Sequence, residues 1–132
     1  MHLASPPEAV WELLAADEGR AQFWAESSTE RAGAITFAFP NGEEATGRVL
    51  EAEAPTRLAV DYFGSPATFE LAPDGARGTD LTLVQEVNDE SYAEVNAGWV
   101  SVLMSLKAAV DHGIDLRNHD AQRTWSQGYC DN

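Results

Sequence analysis

The chain has 132 residues, 44% of them hydrophobic, and its 8 Lys and Arg against 22 Asp and Glu leave a formal net charge of −14 at pH 7. That length suits one hydrophobic core, so the expectation is a single domain over residues 1–132. An acidic surface of this strength repels phosphate backbones and anionic leaflets, which argues against nucleic-acid and membrane partners. Cys130 is the one cysteine, so no intrachain disulfide forms. No apolar run approaches spanning length, and residues 1–20 lack a basic start followed by an apolar stretch. The expectation is a soluble, cytoplasmic protein without a signal peptide.

In chain order the pattern runs from helices to strands to a helix. "SPPEAVWELL" opens with Ser5 as N-cap, Pro6 and Pro7 in the first turn and Glu8 placed to close a capping box. Val10, Trp11 and Leu14 follow at helical spacing. After Gly19, "RAQFW" predicts a second short helix ending at Phe23 and Trp24. The period then becomes two. "AITFAF" places Ile35, Phe37 and Phe39 on one face, and "PNGEE" reads as a hairpin turn. "ATGRVLEAE" is a weaker strand. "RLAVDYF" aligns Leu58, Val60 and Tyr62, "ATFEL" aligns Ala67, Phe69 and Leu71, and "TDLTLVQEV" aligns Leu81, Leu83, Gln85 and Val87. Turn signals every ten to twelve residues or so give the rhythm of an antiparallel meander. The last helix starts at Ser91, carries Val95, Trp99, Val102, Leu103, Leu106 and Val110 as its apolar stripe, and stops at Gly113. One amphipathic helix and one meander with a single apolar face must bury each other, which predicts an α+β fold.

The stretches "SPPEAVWELLAADEGRAQFW", "GRVLEAEAPTRLAVDY", "GWVSVLMSLKAAVDHGIDLRNHD" and "RTWSQGYCDN" together resemble the START-like, helix-grip domains, of which the major birch-pollen allergen is the best-known type. Within that superfamily the chain is similar to the proteins related to the activator of the ninety-kilodalton heat-shock-protein ATPase, over nearly its whole length. The resemblance implies a curved antiparallel sheet wrapped around a long C-terminal helix, with two short N-terminal helices. It also implies a cavity between sheet and helix, used across the superfamily for apolar small molecules, and it raises a chaperone as a partner. Domains of this kind begin with a full strand; here only "MHLA" is available, so that strand is very short or lost and an edge is left to be covered.

Phe37, Tyr62, Phe69, Gln85, Trp99, Leu103 and Leu106 are expected to share one interior, with Phe23 and Trp24 near its mouth. Two readings of that interior stay open: a packed core, and a cavity whose polar groups are Gln85 and Tyr62. Asp61, Glu70 and Glu86 phase outward. Glu51 is the one ionisable residue whose strand phases either way, inward if it follows Val49. Cys130 has no base to activate it, and no catalytic residue is assigned. "DHGIDLRNHD" gathers His112, His119, Asp111, Asp115 and Asp120 at spacings that match no zinc site, so no metal and no cofactor is expected. In the tail, residues 114–132, Trp125 and Tyr129 are too aromatic for a free end: they could fold back on the protein's own surface or cross to a second copy, and the expectation is partner contact within a homodimer, because the incomplete first strand also leaves a place to be covered. Binding of a small apolar or amphipathic molecule stands first; a protein-interaction domain with a packed interior is the alternative, and a cyclase- or hydrolase-type enzyme resting on Glu51 a weaker one.

Overall fold

A computed structural model describes residues 1–129; Cys130 lies outside them. Seven antiparallel strands form one curved sheet: β1 (His2–Leu3), β2 (Ser27–Arg31), β3 (Ala34–Ala38), β4 (Glu44–Glu53), β5 (Arg57–Tyr62), β6 (Ser65–Pro73) and β7 (Thr79–Gln85). Their spatial order is β1-β7-β6-β5-β4-β3-β2, a meander with β1 added outside β7. The helices are α1 (Pro7–Ala15), α2 (Asp17–Arg20) and the long α3 (Tyr92–His112), followed by a short 3-10 turn at Trp125–Gln127. This is the helix-grip α+β architecture. The first strand is present, two residues long, and pairs with Thr79 and Asp80.

Local chemistry accounts for the elements. Two-residue hairpins join β2 to β3 and β5 to β6, with left-handed backbone at Ala32–Gly33 and Phe63–Gly64, the conformation whose twist matches flanking strands. Register then puts Phe37, Val49, Leu58, Val60, Ala67, Phe69, Leu71 and Leu81 on the inner face. The stripe of α3 lies over them, with Trp99, Val102 and Leu106 buried. Gly113 ends the helix in left-handed conformation, as the pattern predicts.

Two local expectations are corrected, and one strand is added. Ser5 does not cap α1: Pro6 holds the N-cap position without a side-chain bond, and the Ser5 hydroxyl donates to the Val110 carbonyl of α3. The second helix ends at Arg20, four residues short of Trp24, because residues 21–24 leave it as a turn in which the Trp24 N–H still bonds the Arg20 carbonyl. Strand β2 has no counterpart in the hydrophobic pattern, since "SSTER" turns only Ser28 inward.

Two charged groups fasten the helices. The Arg20 side chain is 1% exposed and donates to Ser28 Oγ, to the carbonyls of Leu14 and Ala15 at the end of α1, to Asp17 and to Glu30. Its partner Asp17 lies where burial raises a carboxyl, yet the Glu30 backbone N–H, Arg20 and Ser28 hold it below its ordinary value. At the opposite end of α1 Asp111 accepts from the backbone N–H groups of Ala4 and Ser5 and from Lys107. Burial pushes the Asp111 carboxyl up, but the Ala4 N–H, Lys107 and Ser5 outweigh it and bring the pKa down to about 2.

Arg20→Ala strands the carbonyls and carboxylates it serves, and is expected to lower stability by about 3 kcal/mol in urea unfolding. Asp111 has a folded pKa below its ordinary 3.8, so its contribution is full above that value and drains as pH falls through about 2. Asp111→Asn therefore costs about 2 kcal/mol at pH 7. It also flattens the loss of stability on acidification below pH 4 or so, measured by urea midpoints across that range.

Candidate functional site

Sheet and α3 enclose an aromatic cluster with Trp24 at its centre. The Trp24 ring lies 4.9 Å from Phe37, 5.3 Å from Tyr62, 5.4 Å from Phe69, 5.5 Å from Trp99 and 5.8 Å from Phe23, centroid to centroid. These are edge-to-face and tilted contacts of the favourable kind. Phe23 and Trp24 are fully buried rather than at a mouth, because the turn after α2 drives both inward. Phe37, Phe69 and Leu106 are equally inaccessible. Burial pushes the Tyr62 phenol up to about 12, opposed by the Trp24 indole beside it. That contact falls short of a hydrogen bond, and Trp24 Nε1 is a buried donor without an acceptor among the described residues.

Open space lies at the flank of this cluster. A half-open groove of about 510 Å³ runs between β7 and the N-terminal half of α3, from Met1 to Val87. Leu81, Leu83, Gln85 and Val87 form one wall; Tyr92, Val95, Asn96, Trp99, Val100 and Leu103 form the other. Of the residues expected to share the interior, Gln85, Trp99 and Leu103 face this groove. Leu83, Val87, Tyr92, Val95, Asn96 and Val100 were not singled out as site residues, although the alternation of β7 and the stripe of α3 carry half of them. Gln85 is committed to the frame: its Nε2 donates to the carbonyls of Tyr62 and Ser65, and its Oε1 accepts from Trp99 Nε1 at 2.7 Å. It ties the open end of the sheet to α3. The lining holds no carboxylate, imidazole or thiol.

The remaining candidates lie elsewhere. Glu51 faces the outer surface, where Arg57 Nε donates to it at 2.7 Å and the same guanidinium pairs with Glu70. A bulge between Val49 and Glu51 reverses the phase, so Val49 stays inward while Glu51 turns out. Asp115 pairs with Arg117, which also donates to the Ala25 carbonyl; Asp120 pairs with Arg123; His119 sits between Glu26 and Asp115. Among the described residues no group of three or more His, Cys, Asp or Glu is placed to hold a metal. No helix among them is long and apolar enough to cross a membrane. Trp125 stacks edge-on against Phe39 of its own chain, 5.1 Å between centroids, and keeps 37% of its surface exposed; Tyr129 is exposed.

Gln85→Leu removes the bridge between β7, the β5–β6 hairpin and α3 and leaves the Trp99 indole N–H unpaired. It is expected to cost about 2 kcal/mol in urea unfolding and to change the Trp99 emission of the folded state.

The model of the activator of Hsp90 ATPase homolog 1-like family matches residues 4–111. Among solved structures, protein SSP2350 from Staphylococcus saprophyticus is similar at 23% identity and a TM-score of 0.76, over 92% of this chain and 95% of that one. The Aha1 dimer from Colwellia psychrerythraea is 20% identical at a TM-score of 0.72, over 86% of this chain and 93% of that one. The AHSA1-like protein from Aeromonas hydrophila is 21% identical at a TM-score of 0.72, over 90% and 96%. No match to the chain was found among curated proteins. A curved seven-stranded sheet gripping a long C-terminal helix, and a family match over residues 4–111, which carry six of those strands and nearly all of that helix, agree: the chain belongs to the activator of Hsp90 ATPase homolog 1-like family of START-like, helix-grip proteins.

Proposed function

We propose that the protein is a binding module that takes an apolar or amphipathic guest in the groove between β7 and α3. The observation that carries this reading is where the free volume lies. The interior is filled by Trp24 and its neighbours, while Leu83, Val87, Val95, Trp99 and Leu103 converge on an open space of about 510 Å³. That volume is within the range of small-molecule sites. A guest that buries roughly 100 Å² of apolar surface there gains about 2.5 kcal/mol. With the Gln85 amide committed to the frame, Asn96 and the hydroxyls of Tyr92 and Thr82 are the polar side-chain groups left on the wall to orient a head group. The absence of a carboxylate, imidazole or thiol from the lining favours holding a guest over transforming it.

A second reading, a protein-interaction domain, is favoured by one specific observation. Val84, Val100 and Met104 are all about half exposed beside the groove, next to a stretch of β7 that has no strand on its outer side among the described residues. The chaperone ATPase in the family's name and a second copy, as in the Colwellia dimer, are partners of that class.

Titration with Nile red, a neutral apolar dye, tests the groove. Val100 lines it and is 54% exposed, so Val100→Asp places a charge on the wall without disturbing the core. The expected result is dye emission that saturates with wild type and an affinity at least about fivefold weaker in the variant, at unchanged thermal stability. Equal dye binding by both proteins, with no adduct on wild type in native mass spectrometry, overturns the reading.

A further inference from the structure

We infer that the guest is an extended polypeptide segment, apolar at alternate positions and carrying Lys or Arg between them, which adds to the sheet along the outer edge of β7. The inference rests on the groove reading above and narrows it. Two independent observations point to it.

The first is the backbone. Strand β1 covers β7 only at Thr79 and Asp80, and the Leu81 N–H and C=O are taken by Met1. In an antiparallel ladder the bonding direction alternates, so Thr82 and Val84 bond inward to Glu70 and Thr68 of β6. Leu83 and Gln85 then turn their N–H and C=O groups outward, where no described residue meets them. They are two consecutive rungs of an open ladder, in line with β1, and the groove runs directly over them from Met1 to Val87. A strand laid on those rungs, antiparallel to β7, extends the line of β1. Its residues opposite Leu83 and Gln85 point to the inner face, into the space before Val95, Trp99 and Leu103. A small apolar molecule fills the groove but leaves both rungs unmade; a polypeptide does both.

The second is charge. Glu86, Asp89 and Glu90, all exposed, follow β7 where the groove ends at Val87, and no Lys or Arg side chain belongs to the lining. Residues of the added strand that alternate outward emerge beside Glu86. Lys or Arg at those positions is favoured there, while a second copy of a chain of net charge −14 brings like charge to the same edge.

The experiment is amide hydrogen exchange by NMR on the intact chain, with a synthetic peptide of alternating Lys and Val residues as the probe and Nile red run in parallel. The expected result is at least about tenfold slower exchange at the Leu83 and Gln85 amides on peptide addition, with binding that weakens as salt rises. Leu83→Pro removes one outward N–H at a position where an edge strand tolerates proline, and is expected to weaken the peptide about tenfold. Glu86→Lys, on an exposed side chain, weakens it at low salt and leaves Nile red binding unchanged. If Nile red binds but the peptide protects neither amide, the polypeptide inference falls and the groove reading stands. If neither probe binds, both fall. If the same amides become protected without peptide as protein concentration rises, the occupant is a second copy and the inference is overturned.

Discussion

Arg20 is a guanidinium with no access to water, and it persists inside because five acceptors meet its donors: Ser28, the carbonyls of Leu14 and Ala15, Asp17 and Glu30. A buried charge is tolerated only when it is this completely paired. The arrangement fixes α1, α2 and β2 against one another, and Gly19 permits it, since a Cβ there would lie 2.4 Å from the Glu12 carbonyl. The chain leaves α2 at Arg20 in one direction only, with the N–H groups of Phe23 and Trp24 bonded back to the Arg20 carbonyl. Trp24 is thereby delivered to the middle of the molecule. The polar lock and the aromatic core are one device.

From that device follows the location of the free volume. A helix crossing a curved sheet touches it along a line and leaves two flanks. Trp24, Phe37 and Phe69 fill the flank toward β3 to β6. On the flank toward β7 the strand offers only Leu81, Leu83, Gln85 and Val87 against Tyr92 and Trp99 of α3, and Gln85 ties the frame together by bonding α3 through Trp99 and the β5–β6 hairpin through Tyr62 and Ser65. Open groove and packed core are complementary consequences of where one tryptophan sits. A fold that usually suggests an enclosed cavity here offers a groove at the sheet's edge.

Most of the architecture was legible because it rests on periodicity. The alternation in "RLAVDYF" and "TDLTLVQEV" and the stripe from Val95 to Val110 each identify a face without ambiguity, and the face determines the register. What escaped the sequence was set by interactions that leave no periodic trace. Strand β2 carries one inward residue, Ser28, whose role is to serve Arg20, so no apolar pattern marks it. The bulge at Leu50 turns Glu51 outward into the pair with Arg57, and an inserted residue in a strand is invisible when both phases show mixed polarity. Arg20 itself reads as one more surface cation. Of the expected site residues, Gln85, Trp99 and Leu103 reach the groove because strand and helix phase are legible; Phe23 and Trp24 were misplaced because a turn's direction is not.

The two edges of the sheet show how the same acidic chemistry closes one boundary and leaves another available. At β2 the Glu30 N–H is bonded by Asp17 Oδ2 at 3.1 Å, and Arg20 holds Ser28 and Glu30 from the side; a carboxylate and a cation cap that edge from within the chain. At β7 nothing comparable is applied to Leu83 or Gln85 among the described residues, and the acidic residues stand beyond the edge rather than on it. An open strand edge with apolar neighbours such as Val84 and Val100 is ordinarily an aggregation hazard. Glu86, Asp89 and Glu90 just beyond it make another copy of the same acidic chain a less favourable partner at low salt, because each approach adds like charge. Charge of this sign disfavours self-pairing along this edge and favours the cationic strand inferred above by the same Coulombic term. An edge protected by covering would serve stability alone; an edge protected by charge is selective, and selectivity at an uncovered backbone is what a binding surface requires.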